Sequence, residues 1–135
     1  MDLERLRDNW DGLGRTDPWW AILFSPERHG GGWVGHEAEF FASGRAAVDA
    51  VVSTLSRRNL LPHTLERALD FGCGAGRLSQ GLTAHFERVD GVDIAKSMIE
   101  LAQNHNSHKE RVHYHLNEAS DLHLFENDTF DFILS

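Results

Sequence analysis

The sequence contains a single cysteine, Cys73, in 135 residues, so a disulfide within the chain is excluded. Small proteins of oxidising compartments usually depend on disulfides, and we therefore expect a cytoplasmic location. Basic residues are also scarce, because 13 lysines and arginines stand against 21 acidic residues and the formal net charge is −8. Binding to nucleic-acid phosphates needs clustered cations, so we expect no nucleic-acid partner.

Long apolar runs are missing as well. The longest is too short to cross a bilayer, and the amino terminus lacks a basic segment followed by an apolar one, so we expect no membrane partner. The content of 41% hydrophobic and 25% charged residues is ordinary for a soluble globular protein. The length is that of one domain, and one of only three prolines, Pro62, divides the chain into two unlike parts.

Residues 1–62 are predicted to form a helical cap or lid segment. Asp17 before Pro18 is typical of a helix start, with a capping side chain and then proline at the first helical position. Apolar residues at three- and four-residue steps predict an amphipathic helix over 37–55. The glycines at 30–32 predict a mobile loop. Four tryptophans would either cover a ligand or pack against the rest of the protein: Trp10, Trp19, Trp20 and Trp33.

Residues 63–135 alternate between strand and helix patterns. The predicted strands are 67–71, 88–93, 111–116 and 130–134, and the predicted helices are 76–85 and 96–105. Short connections between alternating strands and helices indicate a parallel sheet with right-handed crossovers. We therefore predict an α/β fold for this part of the chain.

A glycine turn follows the first predicted strand and is the most informative feature of the chain. Gly72, Gly74 and Gly76 would let the backbone turn sharply and let a ligand approach bare main chain. The next predicted strand ends in a carboxylate, Asp93. A strand, a glycine turn, a helix and an acid-tipped strand together predict a nucleoside site at the carboxyl edge of the sheet.

Two charged residues at this turn distinguish between classes of nucleoside. Dinucleotide folds use G-x-G-x-x-G, whose last glycine allows close packing of helix on strand, and here Arg77 takes that place. Asp70 would lie badly beside a pyrophosphate and suits a ligand that carries cations, such as an ammonium and a sulfonium. The alternative for Asp70 is to cap the following helix or to bind loop amides.

Four segments resemble the motifs of class I S-adenosylmethionine-dependent methyltransferases, and in particular the small-molecule, type 11-like methyltransferase domain. They are residues 70–76, 91–99, 117–122 and 130–135. The resemblance implies a Rossmann-like, doubly wound parallel sheet with the strand order 3-2-1-4, preceded by the helical segment 1–62. It also implies that the sheet is partial, because family members usually have seven strands and this sequence ends at the fourth.

The resemblance also implies a set of residues that contact S-adenosylmethionine. Asp70 would lie near the amino-acid end, and Asp93 would accept both ribose hydroxyls. The full set is Asp70, Gly72, Cys73, Gly74, Gly76, Asp93, Ile94, Met98, Ala119 and Ser120. No catalytic residue is assigned, although His29 and His36 are candidates for a general base, which is needed only if the acceptor arrives protonated. Neither a metal site nor a cysteine nucleophile is expected.

The function implied is methyl transfer to a small-molecule acceptor. Two alternatives remain open, a non-catalytic S-adenosylmethionine-binding or interaction module and, disfavoured by Asp70 and Arg77, an NAD-dependent oxidoreductase. The fourth strand would be an exposed apolar edge, which predicts either a fragment of a longer protein or a homodimer that pairs through this strand.

Overall fold

Four parallel strands form the centre of the computed structural model, which describes residues 2–135. They are β1 (Arg67–Phe71), β2 (Arg88–Asp93), β3 (Val112–Leu116) and β4 (Phe132–Leu134). Their order in the sheet is β3-β2-β1-β4, and Leu69 lies opposite Asp90 on one side and Ile133 on the other. The predicted Rossmann-like parallel sheet and its 3-2-1-4 order are confirmed.

The helices lie at the amino terminus and in the crossovers between strands. They are α1 (Leu3–Thr16), α2 (Pro18–Ile22), α3 (Glu37–Arg57), α4 (Arg77–Leu82) and α5 (Lys96–Asn104), with a 3-10 turn at Pro26–Arg28. The helix α4 ends three residues earlier than predicted. Its last turn tightens, since the N–H groups of Thr83, Ala84 and His85 bind carbonyls three residues back.

The main core lies between one face of the sheet and the helices α3, α4 and α5. Strand residues on this face alternate with residues on the other, as the period of two requires. The buried apolar residues of this core include Val48, Val52, Ala68, Leu82, Phe86, Val89, Ile99, Ala102 and Val112. Burying each of the larger side chains is worth about 1.5–3 kcal/mol, so this face accounts for much of the stability of the fold.

A glycine contact brings α3 and α4 together. A Cβ atom added at Gly44 would lie 2.7 Å from the carbonyl carbon of Arg77, and one added at Gly81 would lie 2.9 Å from the carbonyl oxygen of Gly44. Both helices therefore need glycine where their backbones meet.

The second face of the sheet carries charged residues beneath the segment 117–131. Asp90, fully buried in β2, accepts a hydrogen bond of 2.7 Å from Arg67 Nε and lies 2.8 Å from His115 Nε2. Burial alone would raise the pKa of Asp90, but the hydrogen bonds from His115 and Arg67 outweigh it and hold that pKa well below its ordinary value. Phe125 and Phe130 cover Arg67 with their rings.

An aromatic cluster joins the amino-terminal helices to the glycine turn. Trp19 and Trp33 are buried together with Phe40 and Ala75, and the Trp19 and Phe40 rings meet edge to face at 4.8 Å. These two tryptophans therefore pack in the interior. Trp10 is different, because it is 38% exposed and lies on α1.

The predicted glycine loop is held by Asp17. Its Oδ2 accepts hydrogen bonds from the N–H groups of Gly30 at 2.7 Å and Gly31 at 3.2 Å. Asp17 was expected to cap the helix that begins at Pro18, and within residues 2–135 it makes no such capping bond. The carboxylate fastens the loop at 30–32 to the start of α2 instead.

Candidate functional site

A cavity of about 840 Å³ opens at the carboxyl ends of the strands. Ligand sites of parallel sheets are expected at this edge, and the volume is in the range of small-molecule sites. Its walls are the turn after β1, the tip of β2 with the start of α5, the loop after β3, and parts of α1 and α2. The lining residues from the sheet side include Asp70, Gly72, Cys73, Gly74, Arg77, Asp93, Ile94, Met98, Asn117, Ala119, Ser120 and Asp121.

Nine of the ten residues predicted to contact the cofactor line this cavity, and all ten lie within the described part of the chain. The exception is Gly76, where a Cβ atom would overlap the hydroxyl of Tyr114. Gly76 has φ = +85° and lets the turn pack on β3. Its place in the fold is therefore beneath the turn rather than on the cavity wall.

The turn itself is held by hydrogen bonds to β2. The N–H groups of Gly72 and Cys73 both donate to the carbonyl of Val92 at 2.9 Å. Gly72 and Gly74 have φ values of +77° and +52°, in the left-handed region that favours glycine. The turn therefore presents backbone, and no side chain from Gly72 or Gly74, to the cavity.

Asp93 at the tip of β2 is bonded to two backbone groups. Its Oδ2 accepts the N–H of Gly74 at 2.9 Å, and its Oδ1 accepts the N–H of Ala95 at 2.9 Å. Each carboxylate oxygen can accept a further hydrogen bond, so the group still has capacity for two donors from a ligand. The two backbone bonds fix its orientation at the cavity wall.

Asp70 is a buried carboxyl group at the base of the cavity. It is 2% exposed, and its Oδ2 accepts a hydrogen bond of 2.6 Å from Ser79 Oγ in the first turn of α4. Burial raises the pKa of Asp70 to about 6, although the hydrogen bonds from Ser79 act in the opposite direction. Asp70 therefore binds the start of α4, as one of the two alternatives predicted, and also lines the cavity, while its contact with a cationic ligand stays a prediction.

Arg77 brings a positive charge to the same wall. Its Nη1 donates to Ser43 Oγ at 3.2 Å, and burial lowers its pKa. Within residues 2–135, its Nε is buried and has no hydrogen-bond partner. A buried donor without a hydrogen-bond partner is energetically costly.

Cys73 lines the cavity as a neutral thiol. Burial raises the pKa of the thiol well above its ordinary value. The thiolate, which is the nucleophilic form, is therefore disfavoured. The two candidate bases lie elsewhere: His29 packs against the ring of Trp20, and His36 Nδ1 lies 2.9 Å from Glu39 Oε1. Neither belongs to the described cavity wall.

One wall of the cavity comes from α1, which is not among the helices predicted from the sequence. Leu3, Leu6 and Trp10 of this helix line the cavity, together with Ala21 and Ile22 of α2. A signal is nevertheless present in the sequence, because Leu3, Leu6, Trp10 and Leu13 recur at three- and four-residue steps. Asp2 also precedes them as the N-cap and accepts the N–H of Arg5 at 2.7 Å.

Comparison with known proteins identifies the family. A family model described as a methyltransferase domain matches residues 68–135, which is half of the chain and contains β2 to β4 and all of β1 except Arg67. The chain belongs to this methyltransferase domain family. This membership favours the methyltransferase interpretation of the glycine turn over an NAD-dependent oxidoreductase.

This chain is similar to curated methyltransferases from different organisms. Over 71 residues it is 35% identical to the ubiquinone biosynthesis O-methyltransferase of Coxiella burnetii, covering 50% of this chain and 29% of that one. Over 70 residues it is 34% identical to the demethylmenaquinone methyltransferase of Leptospira interrogans, covering 48% of this chain and 28% of the relative. The chain spans less than a third of the length of these curated relatives.

A solved structure resembles this chain over nearly its whole length. Magnesium protoporphyrin IX methyltransferase from Synechocystis PCC 6803, with bound SAH, matches with a TM-score of 0.60 and 25% identity. The match covers 98% of this chain and 57% of that one, so it extends over the amino-terminal helices as well as the sheet.

Proposed function

We propose that this methyltransferase domain binds S-adenosylmethionine in the cavity and that the protein transfers a methyl group to a small-molecule acceptor. The observation that carries the proposal is that Asp93 and the backbone of the glycine turn meet at one cavity wall. When bound, S-adenosylmethionine supplies an electrophilic methyl carbon on a sulfonium. The task of the chain is to hold this cofactor and the acceptor close and aligned.

The residues present fit the charged amino-acid end of the cofactor. Asp70 would face its ammonium group, and the guanidinium group of Arg77, which lines the same cavity, would bind its carboxylate. The exposed backbone of Gly72 and Gly74 leaves room for the carbon chain that joins this amino-acid group to the sulfonium. Opposite charges at the base of one cavity suit an amino-acid group better than a pyrophosphate.

The nucleoside would lie further along the wall. Asp93 would accept both ribose hydroxyls through the capacity that its backbone bonds leave free. Ile94 and Met98 would pack on the adenine face, and Ala119 and Ser120 would meet its edge. All five residues line the cavity, which supports this assignment.

The acceptor is proposed to be a small molecule and not a nucleic acid. The net charge of −8 disfavours a surface that binds phosphates. The named relatives of this domain have small molecules in their names, which agrees with the proposal. No general base is assigned, because neither candidate histidine lies at the described cavity wall.

The proposed macromolecular partner is a second copy of this chain. The edge of β4 leaves Ile133 59% exposed, which supports pairing with a second copy through this strand.

The division of the chain into a cap at 1–62 and a cofactor-binding domain at 63–135 is supported by the cavity residues that α1 and α2 contribute. Among residues 2–135, no helix is long and apolar enough to span a bilayer. The cytoplasmic location stays a prediction.

Equilibrium dialysis and a transfer assay test the function. We expect the protein to retain methyl-labelled S-adenosylmethionine but not NAD, and to move the label onto a member of a panel of phenols, amines and thiols. Retention of NAD without S-adenosylmethionine would contradict the cofactor assignment. Retention of S-adenosylmethionine with no transfer to any class of acceptor, including protein and RNA, would favour the non-catalytic module.

A further inference from the structure

The helix α1 is amphipathic, yet its apolar face lies over the cavity instead of in the core. None of its fourteen residues, all within the described part of the chain, is buried. Leu3, Trp10 and Leu13 are 37–38% exposed, and Leu3 and Trp10 line the cavity. An amphipathic helix derives most of its stability from packing of its apolar face. A molecule in the cavity would therefore supply contacts that α1 otherwise lacks.

Polar contacts hold α1 in this position. Asp11 Oδ1 accepts the N–H of Ser97 at 2.8 Å, and Ser97 Oγ donates to the carbonyl of Asp11 at 2.9 Å. Ser97 is the second residue of α5, whose own N-cap, Ala95, has no side-chain oxygen. Asp11 thus caps α5 from a different helix, and these bonds contribute to a lowered pKa of Asp11.

Two further contacts lie on either side of this cap. A Cβ atom added at Gly14 would overlap Ser97 Oγ, so glycine is needed for α1 to approach α5 this closely. Nearer the start of α1, Arg7 Nη1 lies 3.5 Å from Glu118 Oε1 in the loop after β3. The helix is therefore fastened to both segments that flank the nucleoside end of the cavity.

We propose that α1 is a lid over the nucleoside end of the cavity and that Asp11 is the positioning residue that holds it closed. This inference rests on the proposed function, since the occupant is taken to be the cofactor. The cofactor enters and leaves when the Asp11–Ser97 bonds break and α1 lifts from α5. With the cofactor in place, the apolar face of α1 packs against it and the lid is stabilised.

Stopped-flow binding of S-adenosylhomocysteine, followed by tryptophan fluorescence, tests the lid. We compare the wild-type protein with Asp11→Ala, Asp11→Asn and the matched control Asp8→Ala. Asp8 is on the same helix, and its side chain is 65% exposed and contacts only Arg7 in the described residues.

Loss of a cap weakens a helix end by about 1 kcal/mol, which corresponds to about a fivefold change in a rate. We expect Asp11→Ala to raise both the association and dissociation rates about fivefold.

The other two variants separate a latch from a general loss of stability. Asparagine caps helices about as well as aspartate, so Asp11→Asn should restore rates within twofold of wild type. Asp8→Ala should also match wild type. Suppose that S-adenosylhomocysteine binds the wild-type protein and that all four proteins have the same association and dissociation rates. The lid proposal is then wrong, while the proposed function stands. If the folded wild-type protein does not bind S-adenosylhomocysteine, the proposed function itself fails.

Hydrogen exchange on the wild-type protein provides a test that needs no variant. We expect the amides of residues 3–16 to exchange at least tenfold more slowly when S-adenosylhomocysteine is bound. The amides of α3, which lies away from the cavity, should change less than twofold. Equal protection of α1 with and without the bound molecule would contradict the lid.

Discussion

The carboxylate of Asp93 accepts the N–H of Gly74 with an oxygen–nitrogen distance of 2.9 Å, which joins the tip of β2 to the glycine turn that follows β1. The acid is therefore part of the turn's structure as well as of the cavity wall. Its second oxygen accepts the N–H of Ala95 just before α5. One side chain thus orients the backbone on two sides of the candidate nucleoside site.

Replacing Asp93 with alanine should destabilise the protein without any ligand present. The N–H groups of Gly74 and Ala95 would lose their acceptors, and we expect a loss of about 1–2 kcal/mol in the free energy of unfolding. Urea denaturation measures this. The control Asp8→Ala, at an exposed position, should stay within about 0.5 kcal/mol of wild type. A loss for Asp93→Ala no larger than that of the control would contradict the structural role.

Alanine at Gly44 should be far more harmful than alanine at Gly12, although both glycines are in helices. A Cβ at Gly44 would collide with the backbone at Arg77, whereas a Cβ at Gly12 would meet nothing within 4 Å. Overpacking of this kind costs about 1–3 kcal/mol, and relief of glycine's backbone entropy in α1 gains about 0.5–1 kcal/mol. The two variants should therefore shift the thermal midpoint in opposite directions, and shifts of the same sign would argue against the close helix contact.

Substitution of Asp90 by asparagine should expose the role of the buried charges. Arg67, Arg88 and His115 surround this carboxylate, and all three would face a neutral amide. Removing one partner of a buried pair costs about 3–5 kcal/mol, and we expect about 3 kcal/mol because the arginines are partly exposed. Chemical denaturation of Asp90→Asn measures the loss. A variant as stable as wild type would show that burial of Asp90 is not compensated by these partners.

The pH dependence of the free energy of unfolding should reveal the raised pKa of Asp70. Its pKa is raised to about 6 in the folded protein, so the folded state binds a proton between about pH 4 and pH 6 that the unfolded state has lost. The contribution of Asp70 to the free energy of unfolding is therefore fully present below about pH 4, and it is lost as the pH rises from about 4 through 6. The loss amounts to at most about 3 kcal/mol.

Asp70→Asn isolates this effect from the other acids. The variant should be more stable than wild type at pH 8, and the difference should shrink as the pH falls to 4, because both side chains are then neutral. Urea unfolding at several pH values gives the difference directly. A difference that is independent of pH would contradict a raised pKa for Asp70.

Local signals explain which parts of the fold are predictable from the sequence. The strands β1 and β2 begin and end at the predicted residues. The strand β1 is a short, mainly apolar run that ends at the glycine turn, and β2 begins and ends at charged residues, Arg88 and Asp93. The order of the strands in the sheet follows from the resemblance of four segments to the methyltransferase motifs. The helix α1 is missed although its apolar residues have helical spacing, because most of its residues are polar and it contains two glycines, Gly12 and Gly14, which lower helix propensity.

Contacts between distant segments explain what the sequence does not reveal. Gly76 belongs to the glycine motif, but its neighbour is Tyr114 of β3, so it lies outside the cavity wall. Asp17 has the local pattern of a cap and binds the glycine loop thirteen residues away instead. The cap that Asp11 provides to α5 crosses 86 positions of sequence, and no local pattern predicts such a bond.

Calorimetric titration with S-adenosylhomocysteine of the wild-type protein and of Asp93→Asn tests the central claim most directly. We expect micromolar binding by the wild type, on the order of −8 kcal/mol. Loss of the charged acceptor for the ribose hydroxyls should weaken binding by Asp93→Asn at least tenfold. Equal affinity in the two proteins, or no binding by folded wild-type protein, would contradict the assignment of this cavity as the cofactor site.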